Sequence, residues 1–393
     1  MNIMFMFDFP IIAHNGGVQR VTDVLAKEFV KRGHKVSFLC LSITGHQDTS
    51  EIEDAPCMQY YLSGKSDVAH EVRELAEKLS IDMVINQSFS NEAVPILRAF
   101  PQCVFKVQVF HSQPFATYKK ERFILQGLTK TNSLAGTIFK YTGIIVPALV
   151  RNYYINGARR VFRRLLDSTD KLCLLSETYI DRFKRFLPDA PISKLTAINN
   201  PNTFSNIGTA NECKRENVVL FVGRIENSSK NVFDFVRVWK LLMKHNPDWE
   251  AVVVGDGSDL ERMKAFAQKL AVERISFKGN QANVGEYCAK AKFICCTSNY
   301  EGWPMVLVEA MQLGCVPVSY DTFEAVYDII DDEKNGFIVT KKPSAMAQCI
   351  QQCIDGKFDY SALSQQAQIK VQKFSVTDIV DQWEDLIRQS IAI

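Results

Sequence analysis

Short apolar runs bounded by Gly, Asn, Asp and Ser recur along the chain, and between them apolar residues fall three and four apart. The first pattern predicts strands over 2–7, 35–41, 83–86, 103–110, 171–175 and 195–198. It returns over 218–222, 251–254, 275–278, 292–297, 316–320 and 335–339. The second predicts helices: one from Gly16 to Lys31, with Val21, Val24, Leu25 and Phe29 as its core face and Gly33 closing it; one over 71–79; one opening at Ser176-Glu177; one from Asp259; one from Pro304 to Gly314; and three near the C-terminus. The strands are almost continuously apolar, as in parallel sheets covered on both faces. Alternation of the two patterns predicts an α/β protein of two doubly wound domains, residues 1–199 and 200–375, joined by the polar, irregular stretch 205–216.

Composition adds little beyond this. With 47% hydrophobic and 23% charged residues the chain has ample core material. A net charge of +2 excludes a global nucleic-acid signature. Eleven Cys lack metal-type spacing and read as reduced, buried thiols of a cytoplasmic protein. The N-terminal residues read as a first strand rather than a leader, and no apolar stretch reaches the ~18 residues of a spanning helix. No Asp-x-Asp metal motif is present, so no metal ligands and no cofactor are assigned.

The chemistry collects in loops that follow strands. Gly16-Gly17 lets backbone approach a phosphate, or makes a tight turn with no ligand. His111 stands directly after the strand 103–110, where open α/β sheets bind ligands; a structural role is the other reading of a lone His. Arg224 follows the strand 218–222, and Lys230 enters the next helix with Ser228 or Ser229 as cap. Two fixed cations suit a diphosphate, Arg bidentately and Lys as a point charge. Gly255-Asp256-Gly257 and Gly279-Asn280 mark two further strand-to-helix turns.

The stretch Asn299-Tyr300-Glu301-Gly302-Trp303-Pro304-Met305-Val306-Leu307-Val308-Glu309 is the richest. Pro304 reads as the first helical residue, leaving the N–H groups of Met305 and Val306 to hold an anion. Glu301 and Glu309 can accept hydrogen bonds from sugar hydroxyls, or they are surface carboxylates.

A different pattern occupies Lys119–Arg164. Ten Lys and Arg face a single acid, Glu121, and Phe139, Tyr141, Tyr153, Tyr154 and Phe162 are interleaved with them. This describes a helix lying on an anionic membrane surface, a solvated face, or a patch for another acidic partner.

Glu301 and Glu309, with seven residues between and Gly-Trp-Pro in the gap, resemble the paired-glutamate motif of family 4 retaining glycosyltransferases. The likeness recurs at Arg32-Gly33-His34-Lys35-Val36, at the interdomain turn Asn199-Asn200-Pro201-Asn202, and at Arg224 and Lys230. It implies the GT-B fold: two Rossmann-like doubly wound domains facing a central cleft, with residues 376–393 (Ile379, Trp383 and Leu386 among them) returning to the first domain.

The resemblance also implies an EC 2.4 hexosyltransferase that moves a hexose or N-acetylhexosamine from a UDP- or GDP-sugar to a glycan or lipid-linked glycan, with retention, in bacterial surface-polysaccharide synthesis. The nucleotide sugar is then the donor substrate. Arg224, Lys230, Glu301 and His111 fall in catalytic positions. Gly16, Gly17, Gly223, Gly279, Asn280, Gly302, Trp303, Pro304, Met305, Val306 and Glu309 fall in donor-binding ones. The expected place is the cytoplasmic face of the cell membrane. A nucleotide-sugar epimerase on the same fold and a non-catalytic sugar- or lipid-binding protein are the alternatives; a dehydrogenase is disfavoured by the missing dinucleotide fingerprint.

Overall fold

The computed structural model describes residues 1–11, 16–41, 49–52, 55–62, 67–116, 147–204 and 215–391. The predicted loop over 12–15, most of the linker 205–216 and the part of the basic stretch before residue 147 lie outside the described residues. The chain divides into two units, Met1–Pro201 with Val376–Ile393, and Asn202–Ser375.

The first unit is built on an eight-stranded sheet. Its strands are β1 (Asn2–Phe7), β2 (Lys35–Cys40), β3 (Thr49–Ile52), β4 (Ala55–Tyr61), β5 (Met83–Asn86), β6 (Phe105–Phe110), β7 (Lys171–Leu174) and β8 (Leu195–Ala197), in the order β3-β4-β2-β1-β5-β6-β7-β8. Among these strands all pairings are parallel except β3 with β4. β3, β4 and the helix Ala93–Ala99 are additions to the elements the sequence pattern predicts. β1 runs with five consecutive buried residues, as a central strand covered on both faces must. Val72, Ala76, Ile96 and Leu97 of two helices pack with Met4, Met6 and Val84 of the sheet.

The second unit has a wholly parallel sheet of β9 (Glu216–Val222), β10 (Glu250–Val254), β11 (Ile275–Phe277), β12 (Ala291–Cys296), β13 (Val316–Tyr320) and β14 (Phe337–Val339), in the order β11-β10-β9-β12-β13-β14. Its core joins Val219, Phe221, Val253 and Phe293 of the strands to Phe235, Trp239, Met346 and Ile350 of the helices Val232–Leu242 and Pro343–Ile354. The unit's two ends are tied to each other: the Asn202 N–H donates to the Phe374 carbonyl at 2.7 Å, and Asn202 Nδ2 to the Val371 carbonyl at 3.2 Å.

The helix Val376–Ile391 completes the first unit. Ile379, Val380, Trp383, Leu386 and Ile387 are buried. Its polar flank is clamped to the end of the helix Gly17–Lys31, where Arg32 Nη1 meets Asp381 at 2.6 Å and His34 Nε2 meets Glu384 at 2.9 Å. The predicted return of this helix is therefore seen.

Candidate active site

The sheet of the second unit reverses direction between β9 and β12: from β9 the chain steps out to β10 and β11, then comes back to β12 on the other side. Ligands of open α/β sheets bind beyond the carboxyl ends of the strands at such a point. The segments leaving those two strands carry Arg224 and Lys230 on one side and Glu301 on the other.

Backbone packing at the strand ends requires glycine. Gly223 N–H donates to the Val254 carbonyl at 3.0 Å, and Gly255 N–H to the Gly279 carbonyl at 2.8 Å, joining three loops. A Cβ on Gly255, at φ 135°, would lie 1.9 Å from the Gly223 carbonyl oxygen, so no side chain fits. The Lys230 stem passes over Gly223, its Cε 3.9 Å from where a Cβ would stand.

Lys230 Nζ donates to Glu301 Oε1 at 2.5 Å, with the two side chains 22% and 12% exposed. Ser298 Oγ donates to the same oxygen at 2.6 Å, and Thr322 Oγ1 fixes the Ser298 carbonyl at 2.7 Å. Burial pulls the Lys230 pKa down, but the Glu301 carboxylate more than offsets it and leaves the ammonium above its ordinary value. The two loops are also sewn together by backbone: Asn299 N–H donates to Ser229 O at 2.7 Å, and Thr297 Oγ1 to Lys230 O at 2.9 Å.

Arg224 is differently placed. Its side chain is 72% exposed and lies 3.8 Å from the Glu226 carboxylate. Lys230 is thus a positioned cation and Arg224 an exposed one beside it.

The expected caps are corrected. Ser228 and Ser229 lie inside a one-turn helix, Asn227–Lys230, and donate to the Glu226 carboxylate at 2.7 and 2.9 Å instead of capping. These hydroxyls, Ser228 first, then Ser229 and the nearby Arg224, hold Glu226 below the usual carboxylate range against its burial.

The start of the helix Met305–Gln312 is corrected too. Pro304, at φ −76° and ψ 83°, stands before the helix in an inverse γ-turn, and the Met305 N–H is taken by the Trp303 carbonyl at 2.9 Å. The expected pair of anion-facing donors therefore loses Met305. Gly302, Trp303 and Pro304 are buried, and the Trp303 ring meets Phe374 edge-on at 5.0 Å. Glu309 is 2% exposed, and Thr203 Oγ1 donates to its Oε1 at 2.5 Å. Asn280 is exposed.

The first unit holds the other candidates. Gly16, at φ 99°, and Gly17 are exposed at the start of the helix Gly17–Lys31. His111 follows β6, and its Nε2 is hydrogen-bonded to the Gln87 Oε1. Burial pushes the imidazole down to about 4, so it is neutral at physiological pH. Of the basic stretch, the described helix Pro147–Ser168 turns Ala158, Phe162, Leu165 and Leu166 inward. Arg159 Nε donates to the Phe186 carbonyl at 2.6 Å, and Arg163 grips Asp189 with two bonds of 2.7 and 3.1 Å. Arg160 and Arg164 are exposed. No described helix is long and apolar enough to cross a membrane.

Residues 206–370 match the family model described as glycosyl transferases group 1. An uncharacterized glycosyltransferase of Haemophilus influenzae is 23% identical over 96% of this chain and 97% of its own length. A lipopolysaccharide 1,6-galactosyltransferase of Salmonella typhimurium is 32% identical over 31% of this chain and 35% of its own. Among solved structures, Anabaena Alr3699/HepE in complex with UDP superposes with a TM-score of 0.68, at 16% identity over 99% of this chain and 100% of that one. The family match lies within residues 206–370, under half of the chain, and the likeness to solved structures shows the fold, two Rossmann-like α/β units.

Sequence reasoning missed three contributors to this candidate site. Ser298 and Thr322 orient Glu301, and Thr203 holds Glu309. Each is a hydroxyl in a loop, with no motif to mark it. The only signal was proximity in sequence, for Ser298 to Glu301 and for Thr203 to the interdomain turn.

Proposed function

We propose that the protein transfers a hexose or N-acetylhexosamine from a nucleotide-diphosphate sugar to a glycan or lipid-linked glycan, with retention, in bacterial surface-polysaccharide synthesis. A UDP-sugar is the favoured donor and a GDP-sugar the second choice. The observation that carries this reading is the part-buried Lys230–Glu301 pair at the reversal point of the second sheet. An ammonium held charged in a partly dry site stabilises negative charge growing on a leaving diphosphate, without reorganisation at the moment of reaction. Arg224, exposed beside it, would close on the same diphosphate as it arrives. Glu301 then takes hydroxyls of the donor sugar, and Glu309, fixed by Thr203, the ribose diol. His111 is assigned to the donor sugar by the family resemblance alone.

The UDP in the Anabaena structure supports the choice of nucleotide, and the lipopolysaccharide relative supports a lipid-linked glycan as acceptor. The place of action proposed is the cytoplasmic face of the membrane, reached through the basic segment Lys119–Arg164.

The test is a panel of UDP- and GDP-sugars scored by slow hydrolysis and by protection against heat. A donor at a hundred times its dissociation constant adds about 2.7 kcal/mol of stability. Protection by no nucleotide sugar refutes the reading. Rapid interconversion of donor sugars without acceptor would mark an epimerase instead.

A further inference from the structure

Asn231 is the single residue between the one-turn helix Asn227–Lys230 and the helix Val232–Leu242. Its backbone is left-handed, at φ 51° and ψ 46°, a conformation that residues other than Gly, Asn and Asp seldom take. The orientation of the turn that carries Lys230, relative to the helix behind it, is set at this one residue. Glycine would adopt the same torsions at lower cost, so the amide side chain needs a reason of its own.

The reason lies in its contacts. Asn231 Nδ2 donates to Asp234 Oδ2 at 2.7 Å, and the Asp234 N–H returns a bond to the Asn231 carbonyl at 3.0 Å. Tyr320 Oη donates to the same Asp234 Oδ2 at 3.3 Å, while Arg237 Nη1 holds Oδ1 at 2.6 Å. Asp234 is nearly buried, and Tyr320, the last residue of β13, is fully so. Burial, reinforced by the Asp234 charge, pushes the Tyr320 phenol well above its ordinary value, so it stays a donor. An acid in a first helical turn with an Arg three residues on is an ordinary surface pair. A carboxylate oxygen turned inward to a core phenol is not, because taking both groups out of water costs stability that an apolar pair would keep.

Other bonds hold the turn from its remaining sides. The Asn227 N–H donates to Asp259 Oδ2 at 2.8 Å, and Asn299 Nδ2 to the Ser228 carbonyl at 2.9 Å. The junction behind the turn is left to Asn227 Oδ1, which accepts the Phe233 N–H at 3.3 Å, and to the shorter bond between Asn231 and Asp234.

We infer that Asn231, Asp234 and Tyr320 form a positioning network: Tyr320 anchors Asp234 to the sheet, Asp234 tethers Asn231, and the tethered turn holds the Lys230 ammonium on Glu301. These three residues act through Lys230. The use of that placement in sugar transfer rests on the proposed function, whereas the placement itself is read without turnover.

The measurement is trace labelling of the folded full chain with acetic anhydride, read lysine by lysine by mass spectrometry. Asn231→Gly keeps the left-handed backbone and removes the amide; Tyr320→Phe keeps the ring and removes the hydroxyl. In both, Lys230 should label about fivefold faster than in the unaltered chain, the scale of one lost hydrogen bond. Lys292, held by Asn217 Oδ1 at 2.8 Å in the same unit, should not change. Hydrolysis of the UDP-sugar that the donor panel turns over, followed alongside, should lose kcat more than it raises KM. An unaltered Lys230 rate in both folded variants overturns the inference. An equal rise at Lys292 overturns it too, since that marks general loosening. Faster Lys230 labelling with unaltered hydrolysis would uphold the network and refute the charge-stabilising role proposed for Lys230.

Discussion

Lys230 and Glu301, 71 residues apart in sequence, meet at 2.5 Å in a setting where neither side chain is more than 22% exposed. Removing the ammonium deletes the positioned cation and leaves a shielded carboxylate without its partner. Lys230→Ala should lower transfer by about 10²–10³. It should also destabilise the fold more than Lys230→Ala combined with Glu301→Gln does, because the double change removes the stranded charge. Denaturant titration of the three proteins and a donor-hydrolysis assay check both halves. Because the proposed catalytic charge is in the chain, activity should survive EDTA.

Thr203 and Glu309 give the second prediction. A threonine hydroxyl that fixes a nearly buried carboxylate should matter to the group that the carboxylate binds. Thr203→Val should weaken UDP binding by roughly 1 kcal/mol, about fivefold, and Thr203→Ser should restore it. Titration calorimetry with UDP reads this directly. Glu309→Gln should lower UDP affinity further, whereas Glu301→Gln should depress turnover more than affinity.

The third concerns pH. His111 has its pKa lowered by burial from 6.5 to about 4. The unfolded chain therefore takes up this proton first, and stability present above pH 6.5 drains away as pH falls toward 4. The total is on the order of 3 kcal/mol for the one group. His111→Gln should lose less stability than wild type between pH 7 and pH 4.5 in urea titrations; identical pH profiles would show that the imidazole is not shielded in solution.

Membrane association gives the fourth. Within the described part of the basic segment, Arg159 and Arg163 serve the fold, whereas Arg160 and Arg164 face solvent one helical turn apart. Changing Arg160 and Arg164 to Gln should weaken binding to anionic vesicles at low salt, at about 1 kcal/mol for each residue in contact. Changing Arg163 should instead cost stability. Co-sedimentation at low and high salt distinguishes this from a surface that meets no lipid, since screening shortens the electrostatic reach to ~3 Å at 1 M.

Much of the fold is legible because parallel strands covered on both faces announce themselves as apolar runs, as β1 and β9 do. β3 and β4 are not, since Thr49–Tyr61 mixes acids, Thr and Gln with its apolar residues at a sheet edge. The local errors have local causes. Proline's commonest helical place is the first turn, but at Pro304 a γ-turn consumes the Met305 N–H. The two serines near Lys230 have the sequence of caps, but a neighbouring carboxylate outcompetes the backbone for their hydroxyls. What sequence cannot supply is pairing across distance. Nothing in the order of residues says that Lys230 closes on Glu301, or that Thr203 reaches Glu309 over 106 positions.

The bond from Asn202 to Phe374 carries a consequence for how the protein is made. The second unit is closed by residues up to 374, whereas the first needs residues 376–391 from the far end of the chain. All eight strands of the first sheet thus precede Ile379, Val380 and Trp383, the buried residues of the helix that packs on Gly17–Lys31. The unit that begins the chain is thus the one completed by its last residues. A chain truncated before Val376 would keep every strand of both sheets but leave the helix Gly17–Lys31 without Asp381 and Glu384 against Arg32 and His34.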